Sequence, residues 1–161
     1  MRHRLIRLGI SVTVLLGSIA TISTLAIAPA SAATCSGYGC DSQDPVATGC
    51  SSGSYTVKSA PVAYNGVQYG TVELRWSPTC QTNWSRLTIS AGGSNPQHYD
   101  RQVWVARQNP DAQMGFDWTS DGSPIYGDML YAPGCAKAWA TIQVGPNAIA
   151  SGTAMQPGCW F

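Results

Sequence analysis

Glu73-Leu-Arg-Trp-Ser-Pro-Thr-Cys80-Gln-Thr-Asn-Trp84-Ser-Arg-Leu87-Thr-Ile89 is the stretch whose reading decides the fold. Val72, Leu74 and Trp76 alternate with Thr71, Glu73 and Arg75, and a period of two puts successive side chains on opposite faces of a strand. Pro78 has no N–H to give to a ladder, so the strand ends there. Alternation resumes with Leu87 and Ile89 facing inward. The stretch reads as a strand, a cysteine-bearing connection and a second strand.

Working outward, Asp128-Met-Leu-Tyr-Ala-Pro-Gly-Cys135-Ala-Lys-Ala-Trp139-Ala-Thr-Ile142-Gln-Val144 aligns with it at a shift of 55 positions, Cys80 onto Cys135. Pro78, Cys80 and Trp84 match Pro133, Cys135 and Trp139 identically. Glu73/Asp128, Leu74/Met129, Trp76/Tyr131, Leu87/Ile142 and Ile89/Val144 match in kind. A duplicated unit is predicted, with copies at about 50–95 and 105–161; a local turn design used twice is the alternative. Tyr55 to Ser59, Gln102 to Gln108 and Ser123 to Tyr126 are further strand candidates, separated by clusters such as Gly92-Gly93-Ser94-Asn95-Pro96. No long stretch shows a helical period. An all-β fold is expected: a small disulfide-bonded sandwich or barrel of about six to eight short strands with an internal pseudo-two-fold repeat.

The first residues carry a different signal. Arg2, Arg4 and Arg7 precede a largely apolar run from Leu8 to Ile27, and Ala30-Ser31-Ala32 follows. This pattern predicts a secretory signal peptide over 1–32 and one secreted β domain over 33–161. An uncleaved anchor is the alternative, because the run approaches the roughly 20 residues that span a bilayer. Ser11, Thr13, Ser18, Thr21, Ser23 and Thr24 interrupt it, and no basic cluster follows.

After residue 32, six basic residues (Lys58, Arg75, Arg86, Arg101, Arg107, Lys137) stand against eight acidic ones, a formal charge of −2. Scattered arginines in a near-neutral chain leave no footprint for nucleic acid and no polybasic run for acidic lipid. An extracellular location is expected, with no membrane association once the signal is cleaved.

Cys35, Cys40, Cys50, Cys80, Cys135 and Cys159 all follow the cleavage site, and an exported chain of this kind is expected to form three disulfides. Symmetry of the repeat suggests Cys50 with Cys80 and Cys135 with Cys159, leaving Cys35 with Cys40; Cys80 with Cys135 across the pseudo-axis competes. A zinc site needs Cys-x-x-Cys pairs or histidine partners, and only His98 lies beyond the signal. No metal or cofactor is expected.

The run Cys35-Ser-Gly-Tyr-Gly-Cys40-Asp-Ser-Gln-Asp44-Pro45-Val-Ala-Thr-Gly49-Cys50, then Thr56-Val57, then Val72-Glu-Leu-Arg-Trp-Ser-Pro-Thr-Cys80 with Trp84-Ser-Arg86, resembles domain-of-unknown-function family 2690, small secreted proteins of mainly actinobacterial type. The likeness covers most of the chain after the signal and is densest from Cys40 to Arg86. It implies no activity and carries over no catalytic or binding residues.

Candidate sites therefore rest on chemistry. Glu73 is the only glutamate and its repeat mate is Asp128, so a pseudo-two-fold could bring two carboxylates to one cleft, as a glycosidase needs. The competing reading pairs Glu73 with Arg75 or across strands. His98 and Asp100 could share a strand face as base and orienting group, but no nucleophile signature accompanies them. Asp117 to Gly122 and Asp41 to Asp44 offer oxygens for calcium, yet lack the acidic positions of a calcium loop; turn chemistry explains them better. Trp76, Trp84, Trp104 and Trp139 read as core. Trp118, in the polar connection Gly115 to Ser123, and Trp160, beside Phe161, are the candidate ligand-binding rings.

A secreted non-catalytic binding domain is thus expected, its ligand a cell-wall or extracellular polysaccharide or a partner protein. The alternatives are an extracellular hydrolase using Glu73 and Asp128, and a secreted inhibitor or antagonistic protein.

Overall fold

Asn65 and Gly66 both take left-handed backbone, with φ of 48° and 78°, and such a pair closes a hairpin whose twist suits its strands. It joins β1 (Tyr55–Tyr64) to β2 (Val67–Ser77), and the turn over Pro78 to Gln81 leads to β3 (Thr82–Ile89). Then come β4 (Arg101–Arg107), β5 (Ala112–Trp118), β6 (Ile125–Tyr126), β7 (Leu130–Tyr131), β8 (Ala136–Gly145) and β9 (Ala148–Met155). The computed structural model describes residues 32–90, 100–118 and 123–161. Residues 1–31 of the expected signal, the Gly92 to Pro96 cluster, His98 and the Asp121-Gly122 turn lie outside the described residues.

The fold is all-β, as expected, and of the two architectures expected it takes the barrel-like one, its strands forming one sheet rather than the two layers of a sandwich. Its order is β5-β4-β8-β9-β1-β2-β3-β6, with β7 also on β3. The sheet curls into a half-barrel, so that β2 and β3 pack inside against β4, β8 and β9. Val72, Leu74 and Leu87 from the first strands meet Val103, Val105, Ala138, Ala140 and Ile142 in the core. The alternation read around Glu73 holds: Val72 and Leu74 are fully buried, whereas Glu73 and Arg75 face outward.

Small residues set how tightly the sheet curls. At the β1–β9 junction a Cβ on Gly152 would lie 2.2 Å from the backbone oxygen of Pro61, so only glycine permits the approach. On the outer face, a Cβ on Gly115 would lie 2.2 Å from Cε3 of Trp104. That indole rests on the bare glycine backbone.

The structure does not show the duplicated unit. Around Cys80, β2 and β3 pair directly; around Cys135, β7 pairs with β3 while β8 lies between β4 and β9. The aligned tryptophans differ too, since Trp84 is buried and Trp139 is half-exposed on the outer face. Similar strand-turn-strand sequences have found different neighbours. The disulfides are nevertheless those that symmetry suggested: Cys35–Cys40, Cys50–Cys80 and Cys135–Cys159.

The segment before β1 has little regular structure beyond a 3-10 turn at Gly37–Cys40. Asp44 shapes it as a turn residue, its Oδ1 accepting N–H bonds from Val46 (2.6 Å) and Ala47 (2.8 Å). Asp41 ties it to the sheet, accepting from the backbone N–H of Tyr131 at 2.6 Å and from Arg107 Nη1 at 3.0 Å. Arg107 also lies over the Tyr38 ring. Among the described residues no helix is long and apolar enough to cross a membrane. That and the three disulfides are compatible with a secreted protein.

Candidate functional site

Strand ends form a concavity at one end of the sheet. The register sets Tyr55 of β1 opposite Trp76 of β2, and Trp76 opposite Asn83 of β3. The chain leaving β7 supplies Ala132 and Pro133, and the chain leaving β9 supplies Gln156, whose backbone N–H is held by the carbonyl of Ala136 at 3.0 Å. Together with Val57 these residues line a pocket of about 240 Å³ at one mouth of the half-barrel, a usual ligand position in β-barrels.

Tyr55 is 54% exposed and forms the rim, while Trp76 is half-buried. Asn83 is 1% exposed. Its Nδ2 donates to the carbonyl of Arg75 at 2.9 Å, but its Oδ1 is buried with no hydrogen-bond partner among the described residues. A buried acceptor left unmade costs about 1–3 kcal/mol, so an orphan of this kind calls for an explanation.

A family model described as "protein of unknown function (DUF2690)" matches residues 38–132. The chain belongs to the DUF2690 family. No curated protein and no solved structure matches it. The matched span of this DUF2690 protein includes Tyr55, Val57, Trp76, Asn83 and Ala132 of the pocket.

The sequence-predicted residues have other settings. Glu73 Oε1 accepts from Thr56 at 2.9 Å, and Oε2 forms an ion pair with Arg86. Arg75, for its part, donates to Thr56 and Ser54. Burial pushes the Glu73 carboxyl up, but bonds from Arg86 and Thr56 and the charges of Arg86 and Arg75 outweigh it and hold it below its ordinary value. Asp128 is shifted the opposite way, raised first by burial and then by the charge of Asp44. Among the described contacts none joins Glu73 to Asp128. Glu73 has the setting of a structural ion pair, and the pairing across strands that competed with the glycosidase reading is the one seen.

Trp160 is 77% exposed and Phe161 46% exposed at the end of the chain. Trp118 closes β5, and its side chain lies outside the described residues. Three of the four rings read as core are not there: Trp84 is fully buried, but Trp76 is half-buried in the pocket wall. Trp104 and Trp139 sit directly opposite each other on the outer face, their planes within 8° and centroids 5.7 Å apart. Lys137 lies over both Trp139 and Phe161. The alternating run Val103-Trp-Val put one set of residues inward, and the inward set is the valines. Beside the two indoles Asp100, Gln102, Thr141, Gln143 and Ile149 line a smaller depression of about 130 Å³.

The pocket was not legible in the sequence, because its residues come from five separate chain segments. Trp76 in the motif Leu-Arg-Trp-Ser was the available signal, and its place at a strand end is what sets it apart from Leu74.

Proposed function

We propose that this DUF2690 protein is a non-catalytic extracellular binding domain that takes a neutral sugar unit of a cell-wall or extracellular polysaccharide into the mouth pocket. The unpartnered Oδ1 of buried Asn83 carries the reading. The oxygen is closed to water in this structure, so a sugar hydroxyl or amide N–H would donate to it as the half-buried Trp76 ring moves aside, and the Trp76 and Tyr55 rings offer apolar faces for the C–H side of a pyranose. The volume, about 240 Å³, falls below the roughly 300–1,000 Å³ of drug-sized sites, which favours one ring or a chain end. Near-neutral charge favours an uncharged glycan. Trp160 and Trp118 are proposed as secondary contacts for the rest of the chain.

The test is co-sedimentation of oxidised protein with peptidoglycan and insoluble polysaccharides, with tryptophan fluorescence followed on soluble oligosaccharides. Trp76→Ala and Asn83→Leu are expected to abolish saturable binding, and Trp160→Ala and Trp118→Ala to weaken it. Asn83→Leu removes the acceptor but also the Nδ2 bond to the Arg75 carbonyl, at an expected cost of about 1–3 kcal/mol, so urea unfolding of the variant accompanies its binding assay. Undiminished binding by both pocket variants refutes the assignment, as does absence of binding to every glycan.

A further inference from the structure

Cys35, Cys40, Cys50 and Cys80 are spread over 46 residues of sequence, yet their Sγ atoms all lie within 4.8 Å of one another. Two of the contacts between the bridges, Cys35 to Cys50 and Cys40 to Cys50, measure 3.7 and 3.9 Å. Tetrahedral zinc with Zn–S bonds of about 2.3 Å puts its sulfurs about 3.8 Å apart. Two of the four spacings between the bridges are already those of a tetrathiolate site, and the other two lie within 4.8 Å.

The frame around the sulfurs does not depend on the S–S bonds alone. The Gly37 N–H donates to the Cys80 carbonyl at 2.8 Å, the Gln43 N–H to that of Cys40 at 3.1 Å, and the Cys80 N–H to Ser77 Oγ at 3.2 Å. Asp41, next to Cys40, is fastened to Arg107 and Tyr131. Cys40, Cys50 and Cys80 are fully buried beside Trp84 and Met129, while Cys35 is half-buried and gives access. The Trp84 indole N–H is itself buried with no acceptor among the described residues, the kind of donor that stabilises charge gained by neighbouring thiolates.

We infer that Cys35, Cys40, Cys50 and Cys80 form a latent site for one soft or borderline divalent cation, such as Zn²⁺ or Cd²⁺, which the chain exposes when a dithiol reductant opens the two bridges. Two dithiols each transfer two electrons and two protons, giving four cysteine thiols and two oxidised dithiols. The cation then displaces the four protons, forming four M–S bonds and a tetrathiolate of net charge −2. The same four side chains thus lock the segment before β1 onto the β2–β3 turn in either redox state.

Cobalt is the probe, because tetrahedral tetrathiolate Co²⁺ has a distinctive visible absorption. The chain over 33–161 carrying Cys135→Ser and Cys159→Ser is reduced with a dithiol, desalted anaerobically and titrated with Co²⁺. One equivalent is expected to bind with the tetrathiolate spectrum, to be displaced by Zn²⁺ or Cd²⁺ and to change tryptophan fluorescence. The counterpart carrying Cys50→Ser and Cys80→Ser keeps four other cysteines and is expected to bind at least about 100-fold more weakly.

Alkylation mapping of the reduced wild-type chain supplies a check independent of both variants: the cation is expected to protect Cys35, Cys40, Cys50 and Cys80 and to leave Cys135 and Cys159 reactive. Equal binding by the two variants, a stoichiometry other than one, a spectrum lacking the tetrathiolate bands, or protection of a different set overturns the inference.

Discussion

Replacing Cys50 and Cys80 together by alanine is expected to be the most damaging loss of a single bridge. The bond closes a loop of 30 residues, against 24 for Cys135–Cys159 and 5 for Cys35–Cys40. Chain-entropy arithmetic gives about 12 cal/mol/K for the longest loop, hence about 3.6 kcal/mol at 25 °C, with about 3.4 and about 2.1 kcal/mol for the other two. For a domain of roughly 130 residues, unfolding entropy is about 0.27 kcal/mol/K, so the first loss lowers Tm by about 13 °C. Cys50 and Cys80 are also fully buried, and the packing lost with their sulfurs adds to the entropic cost. Urea unfolding of the three double-alanine variants reads the differences directly, through the midpoint at matched slope. If removing Cys35–Cys40 costs as much as removing Cys50–Cys80, or if the latter costs under about 1 kcal/mol, loop closure does not govern the stability of this domain.

Gly152→Ala drives a methyl group against the Pro61 carbonyl; backbone must move, and a loss of about 1–3 kcal/mol or more is expected in the same urea assay. Glu73→Gln is expected to cost about 1 kcal/mol at pH 7, because the Arg86 pair is only partly shielded. Its carboxyl is lower in the folded state, so that stabilisation is present above the unfolded value near 4.3 and lost as pH falls through the folded one; the gap between variant and wild type closes in acid. Asp128→Asn has the opposite sign: its folded value is raised, so ionisation at neutral pH opposes folding. The variant is expected to gain under about 1 kcal/mol at pH 7 after solvent screening, with no gain below about pH 4, as thermal melts across pH will show.

Much of the sheet was legible because period-two alternation reports burial directly. Val72, Leu74 and Leu87 were readable as inward residues, and Pro78 marked the end of its strand. Asn65-Gly66, which alternation did not single out, closes the β1–β2 turn. What alternation does not report is which strands meet. The segments around Cys80 and Cys135 share a local pattern, yet one makes a hairpin and the other is divided between β7 and β8, because pairing is decided by long-range packing. Alternation is also silent on whether the outward face of a strand carries rings. Trp104 and Trp139 were read as core from their apolar character, but their register puts them outside, where Gly115 leaves room for an indole to lie flat. The sulfur cluster was hidden for a similar reason: ligand spacing along the chain is a signal only when a local turn makes the site, and here the turn at Cys40, the loop at Cys50 and the hairpin end at Cys80 are brought together by the fold.

The pocket and the disulfides share one end of the half-barrel, and this has a physical consequence for binding. Cys80 follows Trp76 by four residues, Cys135 follows Pro133 by two and Cys159 follows Gln156 by three. Pocket residues on chain that has left its strand would otherwise sit on loose connections, and fixing each rotamer-rich side chain on binding costs about 0.5–1.5 kcal/mol. Cys50–Cys80 fastens the connection between Trp76 and Asn83, while Cys135–Cys159 fastens the connections carrying Pro133 and Gln156 to each other. On the proposed function, the ordering would therefore be made as the bridges form rather than at the encounter with ligand. A pocket of this size has few contacts with which to offset ordering, so the affinity proposed for it would depend on a rim that is already rigid.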